Sequence, residues 1–460
     1  MIPEECSSMK QLIVLFLLLS LPCVILAQGK QPKKVLPYAY TIDDLPNGLR
    51  LITVPNDYPN LVSLYIVVQT GSRNEVEPGK SGYAHFFEHL MFRGSENFSS
   101  AKRDEILKRA GADSNAYTSS DRTVYHEVFS KEDLPQIMEL EADRFQRLKY
   151  ERNPYKTEAL AVLGEYNKNS ASPTSKLYEV LRETAFKTHT YAHTTMGYIR
   201  DIEDFPNQYE YSLEFFNRYY RPEYTTIVVV GDVTRAQSLE LTKKYWGDWK
   251  RGSYVAKIPK EPEQTEPRTA RVDWPSQTLP WVVVGFRSPA YSDVNKENAA
   301  LDLLTAIAFG ENSEIYQRLV IKEQKVDVID PSFDNMVDPE LFSVWARVKK
   351  AEDLDYVRDQ ILATFARYTT ELVPQAKLSE TSSRLRYSFA LRMNSSDAIA
   401  SALAPYVSLR RTPETIDKLY ALYDTVTPED VRAAASRYFV EKNRTIVTLA
   451  TKLETKGGTK

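Results

Sequence analysis

The sequence predicts an α+β fold of two homologous domains, each a mostly antiparallel sheet packed by helices, related by internal duplication. Two observations carry this expectation. Runs rich in β-branched residues alternate with segments whose apolar residues recur near every 3.6 positions, and two stretches repeat at nearly one spacing. Residues 281–310, WVVVGFRSPAYSDVNKENAALDLLTAIAFG, follow the strand-then-helix pattern of residues 65–94, YIVVQTGSRNEVEPGKSGYAHFFEHLMFRG, at an offset of 216. Residues 436–449, SRYFVEKNRTIVTL, follow residues 217–230, NRYYRPEYTTIVVV, at an offset of 219. In the second pair each copy ends a helix in two aromatics before a Thr-Ile-Val strand, and a duplicated unit accounts for both matches.

The first element is a leader. Residues 12–27, LIVLFLLLSLPCVILA, carry no charge, follow Lys10 and precede Gln28-Gly29-Lys30, which is the pattern of a secretory signal peptide cleaved near Ala27. The run is shorter than the roughly 20 residues of a membrane-spanning helix and is interrupted by Pro22. A secreted, periplasmic mature chain without a stable membrane span is therefore expected. A lipid anchor on Cys23 is the lesser option, because Leu21 and Pro22 lack the small residue such a site needs. A start at Met9 suits the leader better than Met1, where Glu4 and Glu5 precede the apolar run. Both cysteines, Cys6 and Cys23, lie within the leader, residues 1–27, so a mature chain has no disulfide and no cysteine ligand or nucleophile.

The first domain, residues 28–252, opens with strands at 49–54 and 61–69, the first entered through a hairpin-like PNGL turn. Helices follow at 81–93, 100–110, 132–149 and 155–170, and TTIVVVGDV (225–233) reads as a buried strand. Residues 253–275 are Pro-rich, charged and without clear periodicity, which marks a linker; the second domain takes residues 276–460. At 460 residues the chain exceeds one ordinary hydrophobic core. Its net charge of −3 gives no basic excess for nucleic acid or anionic membrane.

Of the five histidines, two stand in HFFEH. On a helix His85 and His89, four apart, share a face and can aim a ring nitrogen at one point, with Glu88 beside them. With no cysteine available, a zinc ion held by His and carboxylate suits this donor set, and the His-x-x-Glu-His order is the inverted zincin arrangement in which the Glu is a general base. A third ligand is needed. TEALAVLGEYNK offers Glu158 and Glu165, seven apart on one helix face, one for the metal and one to support a ligand or orient water. In the duplicated copy, offset 216 puts Leu301, Leu304 and Thr305 in place of His85, Glu88 and His89. The helix itself needs no polar residues there. His189 and His193 are also four apart, but their surroundings read as a loop, which favours structural roles over a second metal site.

GYAHFFEHLMFRGS, with Glu158 and Glu165 following 69 and 76 residues after His89, resembles the pitrilysin/insulinase family of zinc metallopeptidases, to which the mitochondrial processing peptidases belong. The resemblance continues through GADSNAYTSSDRTVYHEVF (111–129), HTYAHTTMGYIRDIEDF (189–205) and YYRPEYTTIVVVGDV (219–233), and more weakly into the second half. It implies that His85, His89 and Glu165 bind Zn2+, that Glu88 activates water, that Glu158 supports the site, and that the chain cleaves peptides. It also implies that SNAYTS (114–119) is an edge strand which an extended peptide joins through Asn115, Ala116 and Tyr117. Family members that work alone carry an Arg and a Tyr seven residues apart in the second half. The corresponding positions here hold Ile321 and Val328, neither a hydrogen-bond donor, and a shift by one gives Lys322 and Ile329. A heterodimer with a homologous subunit that supplies the Arg and Tyr is therefore expected, the alternative being a non-catalytic scaffold or peptide-binding subunit.

Overall fold

The computed structural model describes residues 34–452; the expected leader, with Cys6, Cys23 and Ala27, lies outside them. The architecture is α+β with two sheets. The first contains β1 (Thr41–Asp44), β2 (Arg50–Pro55), β3 (Leu61–Val68), β4 (Asp113–Thr118), β5 (Thr123–Ser130) and β6 (Thr225–Gly231), in the order β1-β2-β6-β3-β5-β4. The second contains β7 (Arg268–Trp274), β8 (Trp281–Arg287), β9 (Val326–Phe333), β10 (Leu341–Val348) and β11 (Arg444–Thr451), in the order β7-β11-β8-β10-β9. With β1 set aside, the two orders coincide strand for strand. Each sheet has one parallel pair, β2 with β6 and β7 with β11, and antiparallel pairs elsewhere. The duplication expected from the repeated stretches is thus present in the topology. The offset of 219 carries the helix Tyr209–Tyr219 onto the helix Pro428–Tyr438.

The helices expected in the first half form α1 (Tyr83–Leu90), α2 (Ser100–Arg109), α3 (Leu134–Arg147) and α4 (Arg152–Ser170), and α5 (Pro173–Ala185) follows. One face of the first sheet packs Leu51, Leu64, Ile66 and Val68 against Tyr83, Phe86, Phe87 and Phe145 of α1 and α3. The other face, with Ile52, Val54, Val67, Val228 and Val230, is covered from the second half of the chain by Ile399, Leu403 and Val407 of the helix Ser396–Arg410. Reciprocally, Leu177, Leu181 and Ala185 of α5 cover Val272, Val283, Val447 and Leu449 of the second sheet. Each such Val, Leu or Ile side chain contributes about 1.5–3 kcal/mol on full burial. Burial on both faces explains why β3 and β6 read as unbroken apolar runs rather than alternating ones.

This exchange corrects the division at residues 253–275. The segment expected to be a linker ends in β7, an edge strand of the second sheet, and α5, assigned to the first domain, packs on the second. Val35 and Leu36, also assigned to the first domain, donate their backbone N–H groups to Asp417 at 2.6 and 3.3 Å. An amphipathic helix announces that it packs, but not on which sheet. Polar contacts reinforce the seam. Arg182 of α5 donates to buried Glu340 at 3.0 Å, Asp121 accepts from Tyr191 Oη and Val337 N at 2.6 and 2.8 Å, and Asp338 pairs with Arg73 at 2.5 Å and His189 at 3.0 Å. His189 thus has a structural partner, as its loop setting suggests. Among the described residues no helix is long and apolar enough to cross a membrane.

The Arg182–Glu340 pair gives a direct test of the seam. Removing one partner leaves the other charge buried and unpaired, so Glu340→Ala is expected to lower unfolding free energy by about 3–5 kcal/mol in urea titrations.

Candidate active site

The site is built on α1, and its helix is anchored at the N-terminus by a buried carboxylate. Glu75 accepts the backbone N–H groups of Gly82 and Ala84, each at 2.6 Å, where the positive end of the helix dipole favours an anion. Burial pushes the Glu75 carboxyl up, and these two donors oppose the shift. Gly82 enters the helix at φ 84°, and a Cβ there would stand 2.3 Å from the Met196 carbonyl oxygen, so no larger residue fits. Tyr83, Phe86, Phe87 and Leu90 then fill the core, with Phe86 stacked on Phe205 at 4.8 Å between centroids. That leaves His85, Glu88 and His89 on the remaining face.

There the Nε2 atoms of His85 and His89 lie 3.3 Å apart. The Glu165 carboxylate reaches them from α4 at 3.7 and 3.5 Å. Glu158, two turns earlier on the same helix, does something different: it bonds His89 Nδ1 at 2.8 Å and Arg93 at 2.5 Å. The structure therefore gathers His85, His89 and Glu165 as one donor group and sets Glu158 behind His89. Among the described residues this is the one group of three or more His, Cys, Asp or Glu side chains with converging ligand atoms.

The group fits zinc. Ligand atoms about 2.0–2.1 Å from a tetrahedral ion stand about 3.3–3.4 Å from one another, close to the separations present, and two imidazoles with a carboxylate leave a fourth position open. Burial, aided by the neighbouring His89, pulls the His85 imidazole down to about 3, so it is neutral with a lone pair to offer. Burial also pulls His89 down, but the Glu158 hydrogen bond and charge outweigh it and the net shift is upward. Glu88, buried beside the pair, is raised by burial against the hydrogen bond from Thr118, 2.6 Å away, so its carboxylate can take up a proton at higher pH than an exposed one.

β4 ends beside this helix. Asn115, Ala116 and Tyr117 oppose His126, Tyr125 and Val124 of β5, and the outer edge of β4 has no strand partner among the described residues. Three contributors escaped the sequence reading: Glu75, Arg93 and Thr118. Arg93 sits four residues past His89, one helical turn on, and Thr118 lies within the SNAYTS stretch; these positions were the only signals. In the second half, Ile321 is half exposed on a π-helical turn, Gln317–Lys322, and Val328 lies on β9. Leu301 and Leu304 are fully buried in the helix Lys296–Phe309, so the copy of α1 spends on core packing the face that α1 gives to its polar residues.

Sequence comparison agrees with this geometry. Residues 50–198 match the family model described as insulinase (peptidase family M16), and residues 208–385 match the model described as peptidase M16 inactive domain. The chain belongs to the M16, or insulinase, peptidase family. A zinc protease from Helicobacter pylori, PqqE, is 29% identical over 412 residues, covering 88% of this chain and 91% of that protein. A probable mitochondrial-processing peptidase subunit beta from Arabidopsis thaliana is 25% identical over 420 residues, 87% of this chain and 76% of that one. A solved protease structure from Helicobacter pylori superposes with a TM-score of 0.82 at 29% identity, covering 90% of this chain and 99% of the other. The cofactor of this M16 chain is zinc, in line with the donor set.

Two outcomes follow for metal binding. His89 must shed its proton to bind, and its raised pKa places that competition above the ordinary imidazole range, while His85 is already neutral. The apparent zinc affinity measured against pH is expected to weaken as His89 becomes protonated, from the neutral side of the ordinary imidazole range, and to fall more steeply in strong acid. Glu158→Gln, which weakens the support behind His89, is expected to lower zinc affinity about 10- to 100-fold in chelator competition.

Proposed function

We propose that this M16 chain is a zinc metalloendopeptidase subunit, exported to the periplasm, that hydrolyses unfolded peptides in a closed chamber completed by a homologous subunit. The observation that carries the reading is the convergence of His85, His89 and Glu165 with Glu88 alongside.

Bound zinc supplies a Lewis acid that polarises a carbonyl and makes water nucleophilic at neutral pH. Glu88 accepts the proton of the attacking water and returns it to the leaving amine. Glu158 fixes the His89 ring through Nδ1 and so directs Nε2. The open edge of β4 takes the peptide main chain at Asn115, Ala116 and Tyr117, recognising backbone before sequence. Beyond β4 the Ser119–Arg122 turn borders a cavity of about 1000 Å3 whose wall includes Tyr178, Asp334, Arg392 and Tyr406, from both halves. The cavity does not include the metal-binding side chains, and it supports a reading in which an extended chain, not a folded surface, is handled here.

Ile321 and Val328 give this chain no oxyanion donor at the positions where single-chain relatives have Arg and Tyr. A homologous partner supplies them in this reading. The intact set of His85, Glu88, His89, Glu158 and Glu165 argues against a non-catalytic scaffold.

The test is hydrolysis of a quenched peptide by purified zinc-loaded protein, alone and with its co-purifying homologue. Glu88→Gln is expected to lower kcat about 10²- to 10⁴-fold at unchanged zinc content, and the partner to raise activity about 100- to 1000-fold. Full activity alone contradicts the heterodimer; activity indifferent to Glu88→Gln contradicts the enzyme assignment. The exported mature chain is expected to begin at Gln28 by N-terminal sequencing.

A further inference from the structure

We propose that Thr118 is a positioning residue for Glu88, and that peptide docking on β4 sets the general base through it. The inference rests on the peptidase reading above. Thr118 is the last residue of β4, the strand with the open edge, and its hydroxyl stands 2.6 Å from Glu88 Oε2. Among the described residues it is the one side chain that hydrogen-bonds the Glu88 carboxylate, so the orientation of that carboxylate depends on where β4 lies.

The direction of this bond is fixed by its neighbours. Thr123 donates its single hydroxyl hydrogen to the Thr70 carbonyl at 2.9 Å. Its oxygen, 3.3 Å from Thr118 Oγ1, is left as an acceptor. An ionised carboxylate also only accepts, and the shorter contact, to Glu88, takes the Thr118 hydrogen. The charge-assisted bond is the stronger of the two.

β4 pairs with β5 along its whole length, is tethered further at both ends, and is open only along its outer edge. Arg103 donates to Ser114 Oγ at 3.0 Å, and beyond Thr118 the turn is held by the N–H groups of Ser72 and Arg73 on the carbonyls of Ser119 and Ser120, at 3.3 and 2.8 Å. Between these tethers the outer main-chain groups of Asn115 to Tyr117 face no strand. Side chains alternate along a strand, so Ser114, Ala116 and Thr118 share the face toward α1 and α2, while the bonds to an added peptide lie in the plane of the sheet. A peptide can therefore stiffen β4 without displacing Thr118. The same strand that receives substrate then holds the base in line, and a longer peptide, filling more of the edge, holds it better.

The experiment compares wild type, Thr118→Val and Thr118→Ser in the assembly that carries full activity, with zinc content measured for each and peptides of increasing length as substrates. Thr118→Val, nearly isosteric but without the hydroxyl, is expected to lower kcat about 10- to 100-fold with KM changed less than about twofold and zinc unchanged. Thr118→Ser is expected to stay within about threefold of wild type, and the rise of kcat with peptide length to vanish only in Thr118→Val. Wild-type kcat in Thr118→Val, or an equal loss in Thr118→Ser, overturns the assignment of Thr118 and leaves the peptidase reading intact. Absence of zinc-dependent hydrolysis in wild type overturns the peptidase reading itself, and this inference with it.

Discussion

Each of the two sheets has a second apolar face, and the chain covers both by exchanging a helix between its halves. Neither half is finished without the other: α5 lies on the second sheet, and the helix Ser396–Arg410 lies on the first. Everything near His85, Glu88 and His89 depends on this arrangement, because β3, β5 and β6, which support α1 from beneath, are themselves held from the far side by the second half. Domain boundaries drawn along the chain miss this, since the structural units are interleaved.

Within that frame α1 is fixed by three independent constraints. Its apolar side is sunk among aromatic rings, its N-terminus is bound by the Glu75 carboxylate, and the left-handed entry at Gly82 brings it against the Met196–Gly197 loop. A helix so held has no freedom to rotate. That rigidity lets two imidazoles meet at 3.3 Å with a carboxylate from a different helix, a separation suited to a shared ion. The duplicated helix shows what the fold does when chemistry is not required: Leu301 and Leu304 turn the same positions into core.

Much of this was legible in the sequence. The repeated stretches revealed the duplication because both copies keep the same strand and helix patterns, and the i, i+4 histidines with two glutamates seven apart pointed to side chains that the structure brings together, because helix geometry converts spacing into position. The division of labour between Glu158 and Glu165 came from the resemblance, and the structure gives it a physical basis in their different reach. β7 lacks a strand signature because RTARVDW is an edge strand with Arg268, Arg271 and Asp273 along it, and charge on an edge guards against unwanted pairing while masking the strand pattern. Glu75 and Thr118 were invisible for another reason. Each acts through one tertiary hydrogen bond, to Gly82 and Ala84 or to Glu88, and no local period records such a contact.

The central claim is that His85, His89 and Glu165 form one zinc site with Glu158 behind His89. Anomalous diffraction at the zinc absorption edge, on crystals of the zinc-loaded protein, tests it most directly. A single peak per chain is expected, about 2.0–2.2 Å from both Nε2 atoms and from the Glu165 carboxylate, with Glu158 hydrogen-bonded to His89 Nδ1 and off the metal. A peak bound by Glu158 in place of Glu165, a peak at His189 and His193, or no peak at His85 and His89 would contradict it.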